Sequence, residues 1–423
     1  MRDTGLTAEA INDLLLKTLY VQGLRTGQQL VDSICLPFDI LDEQLMGSQQ
    51  RRLVEVRGTG ALGRIGYGFD LTGQGRERAR EALDASQYVG AAPITLTMYR
   101  EWVHKQTIQN VHVTRDRIAE GFRDVVLNTE LFETLGPAIN SAKSLFLFGD
   151  SGNGKTMITE AMASMLGDSL FVPHAVDVDG QILAVYDSVY HRPAKDPEQA
   201  YTPAHETSLW RRTELEYDRR FARVQRPVVM VGGELTLDQL DLQYDHSTKM
   251  YQAPFQMKAN GGILIIDDFG RQRVPPKDLL NRWIVPLEKR LDFLTLHTGS
   301  KFPVPFDCLL VLSTNLDPTD LADEAFLRRI RYKVSVNSPS PEQYTEIFQR
   351  VCKARKIPFA QSGVDFIYRE FYQGRGIAPR SCQPRDLLDH VSDIARFLDV
   401  EPTMSEDLLN RACCSYFVKM EDV

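Results

Sequence analysis

Eight consecutive residues, Gly149-Asp150-Ser151-Gly152-Asn153-Gly154-Lys155-Thr156, constrain this chain more than any other feature. They follow a short apolar run, Leu145–Phe148, and precede Met157, Ile158, Ala161, Met162 and Met165 at helical spacing. The pattern G-x-x-x-x-G-K-[ST] between a strand and a helix is a P-loop, in which backbone N–H groups turn inward around phosphates. The helix N-terminus adds partial positive charge. Lys155 is placed to reach the β- and γ-phosphates, and Thr156 to offer its hydroxyl to Mg²⁺. An incidental glycine-rich turn would need neither the lysine nor the hydroxyl.

A second signal is Ile263-Leu264-Ile265-Ile266-Asp267-Asp268, an apolar strand ending in two carboxylates. Further apolar runs at Leu170–Val176, Leu309–Leu312 and Tyr332–Val336 alternate with helical stretches. That alternation predicts an α/β fold with a parallel sheet, whose ligands sit at the carboxyl ends of the strands. The two acids then lie beside the P-loop. Asp267 is expected to hold Mg²⁺ through its water shell, and Asp268 to orient or deprotonate an attacking water.

Over residues 95–400 the pairing of these motifs resembles the AAA+ ATPases. Ala259-Asn260-Gly261-Gly262, ahead of the acidic strand, is similar to the run in magnesium-chelatase-like, MoxR-like and enhancer-binding members. Leu309-Leu310-Val311-Leu312-Ser313-Thr314-Asn315 resembles the sensor-1 strand, which implies Asn315 at the γ-phosphate or lytic water. Phe326-Leu327-Arg328-Arg329 resembles the arginine-finger region; either Arg328 or Arg329 would reach a neighbouring subunit's ATP. Gln383-Pro384-Arg385-Asp386-Leu387 resembles the sensor-2 helix, with Arg385 as its arginine. The resemblance implies ATP and Mg²⁺ as cofactors and a ring or spiral homo-oligomer. The activity it implies is ATP hydrolysis coupled to remodelling of a protein client. One departure stands out: Asp268 replaces the family's usual glutamate, which suggests slow turnover and a switch-like role.

Four segments are expected. Residues 1–90 suggest three helices, a glycine-bearing hairpin and a closing helix, a winged helix-turn-helix pattern. Residues 91–143 read as a helical linker, opened by Pro93 and broken at Gly136-Pro137. The α/β core spans 144–338. Lys155 and Asp267 are 112 positions apart, far more than a strand–helix–strand step needs, so an insert fills about 178–260. The insert is read as a charged helix from Trp210-Arg211-Arg212 to about Val224, then a hairpin turning at Gly232-Gly233. It is either a remodelling hairpin or pore loop, or a structural decoration. Residues 339–423 form a helical lid, entered through a capping box at Ser340-Pro341-Glu342-Gln343.

Composition narrows the setting. At roughly 150 residues per domain, 423 residues make two or three domains. A net charge of -8 gives no overall basic footprint for nucleic acid. Residues 51–80 are locally basic, with seven arginines against three acids. Yet the candidate recognition helix carries Asp39, Asp42 and Glu43, which oppose phosphate. Residues 38–80 therefore dock either protein or DNA, with protein favoured. Six cysteines without a C-x-x-C pair argue for a reduced cytoplasmic protein. There is no signal-peptide pattern and no apolar stretch near the ~20 residues that span a bilayer. H-E-x-x-H and G-x-S-x-G are absent.

Overall fold

The computed structural model describes residues 4–60, 63–167, 169–194, 218–374 and 376–417. Its central sheet has five strands: β1 (Ser144–Phe148), β2 (Val228–Val231), β3 (Ile263–Ile266), β4 (Leu309–Thr314) and β5 (Tyr332–Ser335). Their order is β2-β3-β4-β1-β5. β1 pairs in parallel with β4, Leu145 opposite Val311, and with β5, Leu145 opposite Tyr332. The starts of the other strands also lie side by side. The Ile263 N–H donates to the Pro227 carbonyl and the Leu309 N–H to the Gly262 carbonyl. Every residue of β3, and Leu309 to Leu312 of β4, is fully buried. Continuous apolar runs are what a sheet covered on both faces demands, and each such side chain contributes about 1.5–3 kcal/mol. The P-loop follows β1 and leads into helix α1 (Lys155–Met165). Ile158, Met162 and Met165 are buried, whereas Met157 is half exposed.

Two expectations about the sheet need correcting. Leu170–Val176 is not one of its strands. It divides into Ser169–Pro173, which pairs antiparallel with Phe221–Gln225, and Ala175–Val178, which belongs to a second sheet. The fifth core strand is β2, expected to form half of a hairpin. After Gly232-Gly233 the chain does not return as a strand; it forms a turn and the short helix Leu237–Leu240. Apolar strand-length runs all satisfy the same pattern, and only long-range pairing assigns each to a sheet. The helical stretch expected up to Val224 is instead strand Phe221–Gln225; Trp210, Arg211 and Arg212 lie outside the described residues.

The chain divides into two compact units: residues 1–111, 166–264 and 282–309, and residues 112–165, 265–281 and 310–423. The first opens with helices Ala8–Gln22, Gly27–Ile34, Phe38–Gln50 and Gly73–Ala85. Strands Arg25–Thr26, Gly68–Leu71 and Val54–Val56 form an antiparallel sheet beside them. Ile11, Leu15, Leu30, Leu41, Leu45 and Phe69 form its core. The same unit holds the second sheet, in which Ile94–Thr95 pairs with Ala175–Val178, followed by Gln181–Ala184, Met250–Gln252 and Gln243–Asp245. The stretch expected to be a helical linker thus supplies a strand before its helix Leu96–Lys105. Buried Arg220 ties the two parts together, donating to the carbonyl of Thr4 at 2.9 Å and pairing with Asp218.

The second unit carries the P-loop and the C-terminal helices. Helix Thr129–Ser141 continues through Pro137 instead of ending there. Beyond β5, Ser340 and Gln343 form the expected capping box of helix Pro341–Arg355. Then come Gln361–Ile367, extended by wider turns to Gln373, helix α2 (Gln383–Leu398) and Glu406–Tyr416. Their core includes Tyr344, Phe348, Ile367, Leu387, Leu388 and Leu409. No helix among the described residues is long and apolar enough to cross a membrane.

Candidate functional site at the P-loop

The loop between β1 and α1 is wound by glycines in left-handed backbone. Gly149 has φ 137°, and a Cβ there would collide with the Val336 carbonyl. Gly152 has φ 85°, and a Cβ there would sit 2.6 Å from Cys382 Sγ. Left-handed backbone at such positions costs L-residues too much and leaves glycine as the default. Lys155 spans the loop. Its Nζ donates to the carbonyls of Gly149 at 2.7 Å and Asp150 at 3.0 Å. Burial lowers its pKa from the ordinary value, while Asp267, Asp268 and Asp150 pull it back up.

Thr156 and Asp267 meet as expected. Thr156 Oγ1 donates to Asp267 Oδ2 at 3.3 Å. The donor set is oxygen only, which suits Mg²⁺, a hard cation that uses few protein ligands and keeps water or phosphate in the rest of its shell. No group of three or more His, Cys, Asp or Glu able to hold a metal unaided occurs among the described residues. A cation here would rest on Thr156 and phosphate, with Asp267 behind them.

β3 ends in a sharp turn. Asp268 has a left-handed backbone, φ 48°, and its side chain is exposed. Gln272 Nε2 holds the turn by donating to the carbonyls of Asp267 at 3.0 Å and Asp268 at 3.2 Å. The Phe269 N–H donates to the Ser313 carbonyl at 2.7 Å, and its ring lies edge-on to Phe146. This turn fixes Asp268 at the carboxyl edge of the sheet. Asn315 follows β4 at the same edge, where its Oδ1 accepts from Arg271 Nε at 3.3 Å. Residues Phe148, Asp150, Asn153, Leu316 and Val336 help line a cavity of ≈360 Å³ beside the loop.

The arginines divide. Arg328 ends helix Glu324–Leu327 with an exposed side chain, while Arg329 is half-buried and its carbonyl accepts from Ser144 Oγ at 3.3 Å. Arg385 lies in the first turn of α2, 60% exposed and paired with Asp386 at 3.1 Å. Among these arginines, Arg380, three positions before α2, also lies against the P-loop. Its Cδ is 3.6 Å from where a Cβ of Gly152 would stand, and its positive charge repels that of Lys155 and helps lower the lysine's pKa. Sequence reading missed Arg380, Gln272 and Arg271 because they stand in turns with no motif around them.

The locally basic stretch of the N-terminal region is largely neutralised from within. Arg64 pairs with Asp42 at 2.7 Å, Arg57 and Arg76 flank Asp70, and Arg78 pairs with Asp13. Arg51 donates to Asn12 and Arg80 to the Tyr20 hydroxyl.

A parallel sheet in this order, with this loop after its inner strand and a helical C-terminal region, defines a P-loop α/β protein. A family model described as a domain of unknown function (DUF8689) matches residues 340–415, the C-terminal helices. No curated protein matches. Similar solved structures include RuvB of Thermotoga maritima, described as a Holliday junction branch migration motor. It shares 11% identity and a TM-score of 0.38, with 69% of this chain and 70% of that one covered. A mutant of the same protein gives 11% identity, a TM-score of 0.40 and coverage of 69% and 71%. NtrX from Brucella abortus gives 13% identity and a TM-score of 0.40, with 69% of this chain and 57% of that one covered. Such distant likenesses add nothing to the assignment, which rests on the strand order and the loop.

Proposed function

We propose that this protein is an AAA+ ATPase that binds Mg·ATP at the P-loop, hydrolyses it, and couples turnover to remodelling of a protein partner. The observation that carries this reading is the meeting of Lys155, Thr156 and Asp267 at the carboxyl edge of a β2-β3-β4-β1-β5 sheet. In this reading Gly149 to Thr156 cradle the phosphates. Thr156 and, through water, Asp267 would hold Mg²⁺, which would supply charge neutralisation. Asp268 polarises the attacking water and Asn315 orients it. Arg328, more exposed than Arg329, suits the role of a finger reaching a neighbour's nucleotide in a ring or spiral. The segmentation adopted is 1–90 as a winged-helix adaptor, 144–338 as core and 339–423 as lid. A cytoplasmic setting fits cysteines that form no disulfide among the described residues.

Contact with DNA through residues 38–80 is the weaker alternative, since most arginines there already face acids of their own domain. The test is single-turnover hydrolysis in Asp268→Asn. We expect ATP to bind and remain unhydrolysed, with turnover reduced about 10²-fold or more as for loss of a general base. Unchanged turnover would remove Asp268 from the chemistry. A wild-type protein that neither binds nor hydrolyses ATP would end the proposal.

A further inference from the structure

Asn153 stands inside the P-loop, yet its side chain faces away from solvent. It is 5% exposed, its Nδ2 donates to the Val336 carbonyl at 3.5 Å, and its Oδ1 accepts from the Ser381 N–H at 3.4 Å. The neighbouring Gly152 carbonyl accepts from the Cys382 N–H at 2.8 Å. Two successive loop residues are therefore bonded to two successive backbone N–H groups just ahead of α2. Val336, at the end of β5, is where the chain leaves the sheet for the C-terminal helices.

The far side of that segment is held as firmly. Buried Gln383 Oε1 accepts from the Arg380 N–H at 2.6 Å and from the Tyr372 hydroxyl at 2.6 Å. The Tyr372 hydroxyl in turn meets that of Tyr344 at 2.5 Å, inside the helical core. Residues 380–382 are thus tied to the helical core.

We infer that Asn153 is a positioning residue that clasps residues 380–382 to the phosphate loop, so that nucleotide occupancy and the placement of the helical domain form one coupled equilibrium. The reasoning rests on the nucleotide reading above. The clasp exists only while the loop keeps its left-handed glycine winding, because that winding aims the Gly152 carbonyl and the Asn153 amide at the segment. A polyphosphate that wraps in the loop stabilises the same winding. Whatever favours one state of a coupled pair favours the other by the same factor. The clasp also brings the Arg380 side chain beside the loop, so its loss would withdraw a cation from the phosphates. Cys382 offers a built-in reporter. Its thiol is half-buried against Gly152, and burial raises its pKa, so it should alkylate slowly while the clasp is closed.

The experiment is the rate of N-ethylmaleimide labelling at Cys382 in the full-length protein, read peptide by peptide by mass spectrometry, with and without Mg·ATPγS. In wild type the nucleotide should slow labelling about tenfold or more. Asn153→Leu, which keeps the volume and removes both hydrogen bonds, should label fast and nearly independently of bound nucleotide. Linkage then requires that its nucleotide affinity fall by about the factor of protection lost. Gln383→Leu, altered from the helical side, should also lose nucleotide dependence; it serves if Asn153→Leu does not fold. If wild type binds nucleotide without protecting Cys382, the clasp is wrong while the P-loop reading stands. If Asn153→Leu and Gln383→Leu both stay protected at saturating nucleotide, the ligand merely covers the thiol, and the proposal is overturned. Failure of wild type to bind nucleotide would remove the parent reading and the clasp together.

Discussion

The arginines of the N-terminal domain and those of the P-loop unit invite opposite readings once their surroundings are known. In sequence, residues 51–80 are the basic patch, Arg328 is one of two adjacent arginines, and Arg380 stands in a turn with no motif around it. In the structure, Arg57, Arg64, Arg76 and Arg78 each face an acid of their own domain. Arg328 and Arg380 are exposed, and neither side chain has a hydrogen bond or ion pair among the described residues. Side chains already paired have less to give to phosphate, so counting charges along a chain overstates the field it presents. Cations without an internal partner, at the edge of a ligand site, are those free to act on a ligand.

The sharpest break would come from the site itself. Lys155→Ala should weaken ATP binding by about 10²-fold or more, measured by calorimetry, since it removes the charge and the two bonds that span the loop. Arg328→Ala should lower steady-state ATP turnover by about 10²–10³-fold with nucleotide affinity nearly unchanged, as expected of a charge acting only on the transition state. Arg329→Ala should do less. Equal losses would erase the distinction drawn between the exposed and the half-buried arginine.

The N-terminal domain offers a different test, on stability. Burial holds the Lys17 ammonium down at about 8, against about 10.5 when exposed, while its Nζ donates to the Ser86 carbonyl. Between those pH values the unfolded chain carries more protons, so stability should rise as pH rises from about 8 to about 10.5, by on the order of 1–3 kcal/mol. Below pH 8 this contribution is flat. Lys17→Met should abolish the rise in melting temperature across that window. The smallest effect is expected of Arg64→Ala, which breaks a partly exposed pair with Asp42: about 1 kcal/mol in a denaturant melt. It should leave the salt dependence of any DNA association unaltered. A large change in that dependence would return Arg64 to a nucleic-acid surface.

Local patterns were legible wherever the chemistry is local. The P-loop needs its glycines and lysine in fixed order. Ser340 and Gln343 cap a helix three residues apart, and β3 is apolar because it is covered on both faces. The strand Ser169–Pro173 and β2 were misassigned because an apolar run does not state its partner. Arg385 fits the lid-helix pattern and was named for that reason, yet Arg380 is the residue beside Gly152. What separates the two is the path of a short turn, fixed by Gln383 and Asn153 from either side.

By itself, then, the sequence determined that a phosphate loop, two carboxylates and a polar strand end follow apolar strands, since each rests on neighbours along the chain. Tertiary structure alone decided which strands share the sheet and which arginines keep an unpaired charge. It also decided which residues of the helical domain touch the loop. Those outcomes depend on groups far apart in sequence competing for the same partners, such as Asp42 for Arg64 or the Gly152 carbonyl for Cys382.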